Sequence, residues 1–180
     1  MTKKIISAGI LGGIALALWT FVINGLLGFN ARINMKQVED QPAVYEVLKV
    51  HITEPGHYVC NPELTSENRF PEGEPVFSIL YGGMGHEAAG MLMLAGLAIY
   101  FATSFIAAWM LSGTSAKIQS SYIRKVSFFI IVGLLFAIFS DLARYGIGDY
   151  PLKDAVLIGL NHILTWTVMG SVIAWRIKPE

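Results

Sequence analysis

The sequence predicts an all-α membrane protein: a four-transmembrane-helix antiparallel bundle with a small extracytoplasmic α+β cap between helices 1 and 2. Three observations carry this. Four apolar stretches, roughly 5–29, 88–111, 126–143 and 155–175, are each close to the ~17–25 residues that cross a bilayer as a helix. Hydrophobic residues make up 54% of the chain and charged residues 14%, against about 25% charged in a soluble domain. The charges are also sorted, with the basic residues flanking one end of the spans and nearly all carboxylates at the other. The division expected is 1–29 for transmembrane helix 1, 30–87 for the cap and 88–180 for helices 2–4. Mean hydropathy is +0.54, and the formal net charge of +0 gives no reason to expect nucleic acid as a partner.

Span one follows Lys3-Lys4. Its start resembles a signal peptide, but the apolar run exceeds the roughly 7–15 residues of a signal h-region. Gly28-Phe29-Asn30-Ala31 is a poor cleavage site, so a retained anchor is expected. Gly9 and Gly13, four residues apart with Gly12 between, let another backbone come close and mark a helix-packing face.

The segment after span one has structure of its own. Glu39-Asp40-Gln41-Pro42 is a helix start, with acidic residues for the helix dipole and proline in the first turn. Val44, Val47 and Leu48 then share a face at helical spacing, and Pro55-Gly56 breaks that helix. His57-Tyr58-Val59-Cys60 reads as a strand ended by Asn61-Pro62. The polar stretch 63–74 is loop, and Val76 to Tyr81 is a second strand. The two strands can pair as an antiparallel ribbon, which is marginal in water unless it packs on something else. Cys60 is the one cysteine, so no disulfide forms within the chain.

Glu54-Pro55-Gly56-His57-Tyr58, followed by Gly73-Glu74-Pro75-Val76-Phe77 before span two, resembles a loosely defined group of small bacterial four-span membrane proteins with an outer insertion after the first span. The resemblance implies the architecture and the bacterial inner (cytoplasmic) membrane. It implies no chemistry.

Spans two, three and four are separated by short segments. Lys3, Lys4, Lys117, Arg124, Lys125, Arg176 and Lys178 flank one end of the spans, seven of the 13 basic residues. The positive-inside rule therefore places both termini and the middle loop in the cytoplasm and residues 30–87 outside. Trp109 and Trp175 fit an inner interfacial belt, while Trp19 and Trp166 sit deeper.

Polar residues inside spans are costly and need a reason. Asn24, His86, Glu87, Asp141, Arg144, Asn161 and His162 all fall in the outer half, which points to a polar cluster between the helices. Asp141 and Arg144, at i and i+3, are expected to pair with each other. Glu87 suits the positive N-terminus of span two. Asn161 reads as helix-to-helix glue, and His162 as a hydrogen-bonding group or a ligand of the haem or metal type.

No P-loop, dinucleotide-binding glycine pattern, zinc cysteine pair or His-Glu-x-x-His is present. No catalytic residue and no metal site is predicted. No inverted repeat is evident, which argues against a carrier. The leading expectation is a non-enzymatic accessory subunit that packs against a larger membrane complex, respiratory or photosynthetic in type, and touches membrane lipids. The alternative is a binder of a quinone, lipid or haem in the outer-half pocket, since bundles hold cofactors between facing helices. A small transporter ranks third. No cofactor is predicted, a quinone or a lipid being the ligand the pocket would take.

Overall fold

The computed structural model describes residues 3–33, 36–83, 89–148 and 150–178. Among them, four helices are long and apolar enough to cross a membrane: Lys3–Leu26, Met93–Ser112, Tyr122–Gly146 and Leu152–Arg176. The chain is a multi-pass membrane protein by that measure. It divides into two compact units, one formed by 1–36 with 89–180 and the other by 37–88.

In the helical unit, α1 (Lys3–Thr20) runs on into a π-helical segment, Phe21–Leu26. Gly28, at φ +62°, then separates it from the short α2 (Phe29–Ile33). This left-handed backbone suits glycine because it has no Cβ to clash.

The unit resumes after the insertion (37–88), whose own elements are α3 (Gln41–His51), β1 (Gly56–Cys60) and β2 (Phe77–Tyr81). It comprises α4 (Ala89–Ser112), the one-turn α5 (Ala116–Gln119), α6 (Tyr122–Phe136), a second π-helical segment Ala137–Leu142, α7 (Ala143–Gly148) and α8 (Leu152–Arg176). α1 packs antiparallel against α4 on one side and α8 on the other, and α6 packs against α8. The spatial order is thus α4–α1–α8–α6. Among the described residues α4 and α6, although consecutive spans, share no comparable interface.

Small residues set how closely these helices approach. A Cβ added at Gly9 would overlap the Phe105 ring of α4, and one at Gly13 would overlap Phe101. At the other main interface, a Cβ on Gly170 would overlap Phe129, and one on Gly133 would lie 3.0 Å from Ile163 and Trp166. Close backbones gain dispersion contacts, which drive helix association where no water is present. The best-buried core lies at the end of the unit that holds the chain termini: Ile5, Ala8, Ala107, Leu111, Phe129 and Ile173. There Lys125, itself buried, donates from Nζ to the Ile177 carbonyl just past the end of α8, a cation at the negative helix end.

In the insertion, Asp40 caps α3, its Oδ1 accepting from the Ala43 N–H at 3.3 Å, with Pro42 in the first turn. α3 stops at His51, and Ile52 is already extended. β1 and β2 pair antiparallel, with Gly56 opposite Tyr81 and Cys60 opposite Phe77. His57 and Ser78 hydrogen-bond across the ribbon, and the Tyr58 hydroxyl donates to the Glu54 carbonyl at 2.6 Å. Among the described residues of this unit none is buried.

Candidate functional site

The second π segment is the feature that organises the polar residues. Ala137, where α6 passes into this segment, shares its N–H between the Gly133 and Leu134 carbonyls. A π turn holds an extra residue, so side chains beyond it rotate off the α-helical face. Asp141 lies inside this segment and faces α8. Gly159 of α8 leaves room for it, since a Cβ there would lie 3.2 Å from Ala137 and 3.8 Å from Asp141.

Across that interface Asp141 Oδ2 accepts a hydrogen bond from His162 Nδ1 at 2.6 Å. The Asp141 side chain is 0% exposed and that of His162 is 33% exposed. The Phe136 ring meets the imidazole edge-on, with centroids 5.1 Å apart. The second carboxylate oxygen, Oδ1, is buried with no hydrogen-bond partner among the described residues. A carboxylate removed from water needs a charge-assisted partner, and His162 is that partner. Bonding through Nδ1 fixes the imidazole orientation and leaves Nε2 free to accept a proton or hydrogen bond or to ligate.

The expected Asp141–Arg144 pair is not formed. Arg144 is exposed, and the partner of Asp141 is His162. The i, i+3 expectation assumed a regular α-helix at 141–144, and the π turn removes that geometry.

Asn161 is half-buried, and its backbone carbonyl accepts from Thr165 Oγ1 at 2.7 Å. Thr165 Oγ1 in turn accepts from Trp19 Nε1 at 3.1 Å. Asn161 and Thr165, four apart, thus share the α8 face toward α1, while His162 turns toward α6. Asn24 sits in the first π segment with its Oδ1 buried and unpartnered among the described residues. His86 and Glu87 lie outside the described residues. The described polar residues therefore divide: Asp141 and His162 meet, Asn161 contributes its backbone carbonyl to Thr165, which makes the contact to Trp19 of α1, and Arg144 stands apart. No group of three or more His, Cys, Asp and Glu converges among the described residues.

Sequence reasoning missed one ion pair. Lys36 Nζ lies 2.8 Å from Oδ2 of Asp154, which is buried in the first turn of α8. The Asp154 carboxylate, by hydrogen bond and by charge, holds the Lys36 amine above its ordinary value of 10.5. The available signal was Asp154 itself, an acidic residue just inside a span start and favoured there by the helix dipole. Nothing in the sequence marks Lys36 as its partner.

No protein-family model matches the chain, and neither a curated protein nor a solved structure shows significant similarity to it.

Proposed function

We propose that the chain is a non-enzymatic membrane subunit that packs against a larger membrane complex, with both termini cytoplasmic and the insertion on the outer face of the bacterial inner membrane. The observation that supports this most is the insertion itself. None of its described residues is buried, and apolar side chains stand open on it, with Leu80 79% and Val59 73% exposed. A groove of about 520 Å³ runs between α3 and β2, walled by Tyr45, Leu48, Ile52, Ile79 and Tyr81. Soluble surfaces rarely leave contiguous apolar patches of this kind uncovered. A two-stranded ribbon also offers strand edges that a partner strand can extend.

The reading is tested by mild solubilisation at native expression level and mass spectrometry of the intact assembly. Stoichiometric association with larger membrane subunits supports it, and an isolated chain under those conditions contradicts it.

A second reading rests on a separate observation. The half-open imidazole of His162, held on the enclosed carboxylate of Asp141, favours a quinone or lipid hydrogen-bonded at Nε2. That reading predicts a co-purified molecule that is depleted by both His162→Gln and His162→Leu.

A further inference from the structure

We propose that the groove where span one, α2 and the start of α8 meet is a binding site for an anionic phospholipid, with an acyl chain along its wall and the headgroup phosphate on Arg32. The groove has a volume of about 480 Å³, within the roughly 300–1,000 Å³ typical of small-ligand sites. Ile23 and Leu26 form its wall on span one, Leu27 just past the end of that span, Phe29 on α2 and Leu157 on α8. Arg32 is the charged residue among those lining it.

Depth supports a lipid. Leu26 ends the first apolar span, and Arg32 follows six residues later, past Gly28 and on α2. The groove therefore straddles the boundary between the hydrocarbon and headgroup layers, with its apolar wall on the hydrocarbon side.

Charge supports an anion. Arg32 is exposed and has no ion-pair partner among the described residues. The nearest carboxylate on α8, Asp154, is already neutralised by Lys36. Among the described residues no unpaired carboxylate of α8 thus competes for the guanidinium, whose planar fork suits a phosphate. The Lys36–Asp154 pair and the Arg32 N–H to Gly28 carbonyl bond, 3.2 Å, also hold the rim in place before any lipid arrives. A free phosphate would use only the guanidinium. A phospholipid uses the apolar wall as well. The site shares no residue with the Asp141–His162 pair or with the insertion, so it stands independently of the subunit reading.

The test uses the full chain, delipidated in detergent, and native mass spectrometry with phosphatidylglycerol and phosphatidylcholine of identical acyl chains. Phosphatidylglycerol should bind about tenfold more tightly, because phosphatidylcholine carries the same phosphate but adds a cationic ammonium that neutralises the headgroup and is repelled by Arg32. Arg32→Gln should bring the two lipids to equal affinity. Leu27→Trp, at a position 57% exposed, should fill the groove and weaken both. Equal binding of the two lipids by the unaltered chain would overturn the proposal, as would a preference that survives Arg32→Gln. Displacement of the bound lipid by equimolar glycerol 3-phosphate would also overturn it, since the headgroup alone would then suffice.

Discussion

Asp141 and His162 face each other across the α6–α8 interface at 2.6 Å, the carboxylate fully enclosed and the imidazole one-third open. The bond from the imidazole is the hydrogen bond that the enclosed carboxylate makes among the described residues, its Oδ1 having none. The pair forms because three local features agree: the π turn that swings Asp141 toward α8, the absence of a side chain at Gly159, and Phe136 against the ring.

Removing one partner strands the other, so Asp141 and His162 should be energetically coupled. In a double-mutant cycle with Asp141→Asn and His162→Leu, read by detergent denaturation, the double variant should lose less than the sum of the single losses. The coupling should be about 0.6–1.7 kcal/mol, as for hydrogen bonds between transmembrane helices. Strictly additive losses would mean that each residue acts with some other group.

Close approach of α1 to α4 depends on the bare backbone at Gly9. Gly9→Ala places a methyl against the Phe105 ring and should cost on the order of 1–3 kcal/mol through overpacking. Gly96→Ala in α4 meets nothing within 4 Å and should be neutral or slightly stabilising, as alanine favours helix. Phe105→Ala should relieve much of the Gly9→Ala loss. Equal effects at Gly9 and Gly96 would refute the packing described.

How much of this was legible in the sequence differs by feature. The four spans are legible because a bilayer demands a long apolar run and little else. Asp40, Pro42 and the Pro55-Gly56 break mark α3 and the ribbon through local rules that need no tertiary knowledge. The π segments are not legible. They insert within uninterrupted apolar helix, and no residue type signals them, so the i, i+3 rule points Asp141 to Arg144 instead of His162. Helix order is equally hidden, because lipid-facing and helix-facing positions are both apolar and their periodicity is weak. The Lys36–Asp154 pair joins residues 118 positions apart, and no local pattern reports such a contact.

That ion pair gives a pH signature. The amine of Lys36 is raised above 10.5 by Asp154, so its contribution is fully present below 10.5 and is lost as pH climbs through the higher folded value. The difference in melting temperature between the unaltered chain and Asp154→Asn should stay level from neutral pH to about 10 and shrink above 10.5. A difference that does not change across that range would show that the pair adds no stability.

Orientation is testable at the single cysteine. Cys60 is exposed and unpaired. A maleimide that does not cross membranes should label it in intact spheroplasts without permeabilisation. Labelling that appears only after permeabilisation would reverse the proposed topology.

The central claim, that a partner complex covers the insertion, is tested most directly by the mass of the intact assembly with and without the apolar surface. At native expression level the unaltered chain should migrate in a complex far larger than its own 19.7 kDa. Val50→Asp with Leu80→Asp, at positions 70% and 79% exposed, should release it as a folded free chain. A free chain before substitution, or a complex that survives both charges, would contradict the account.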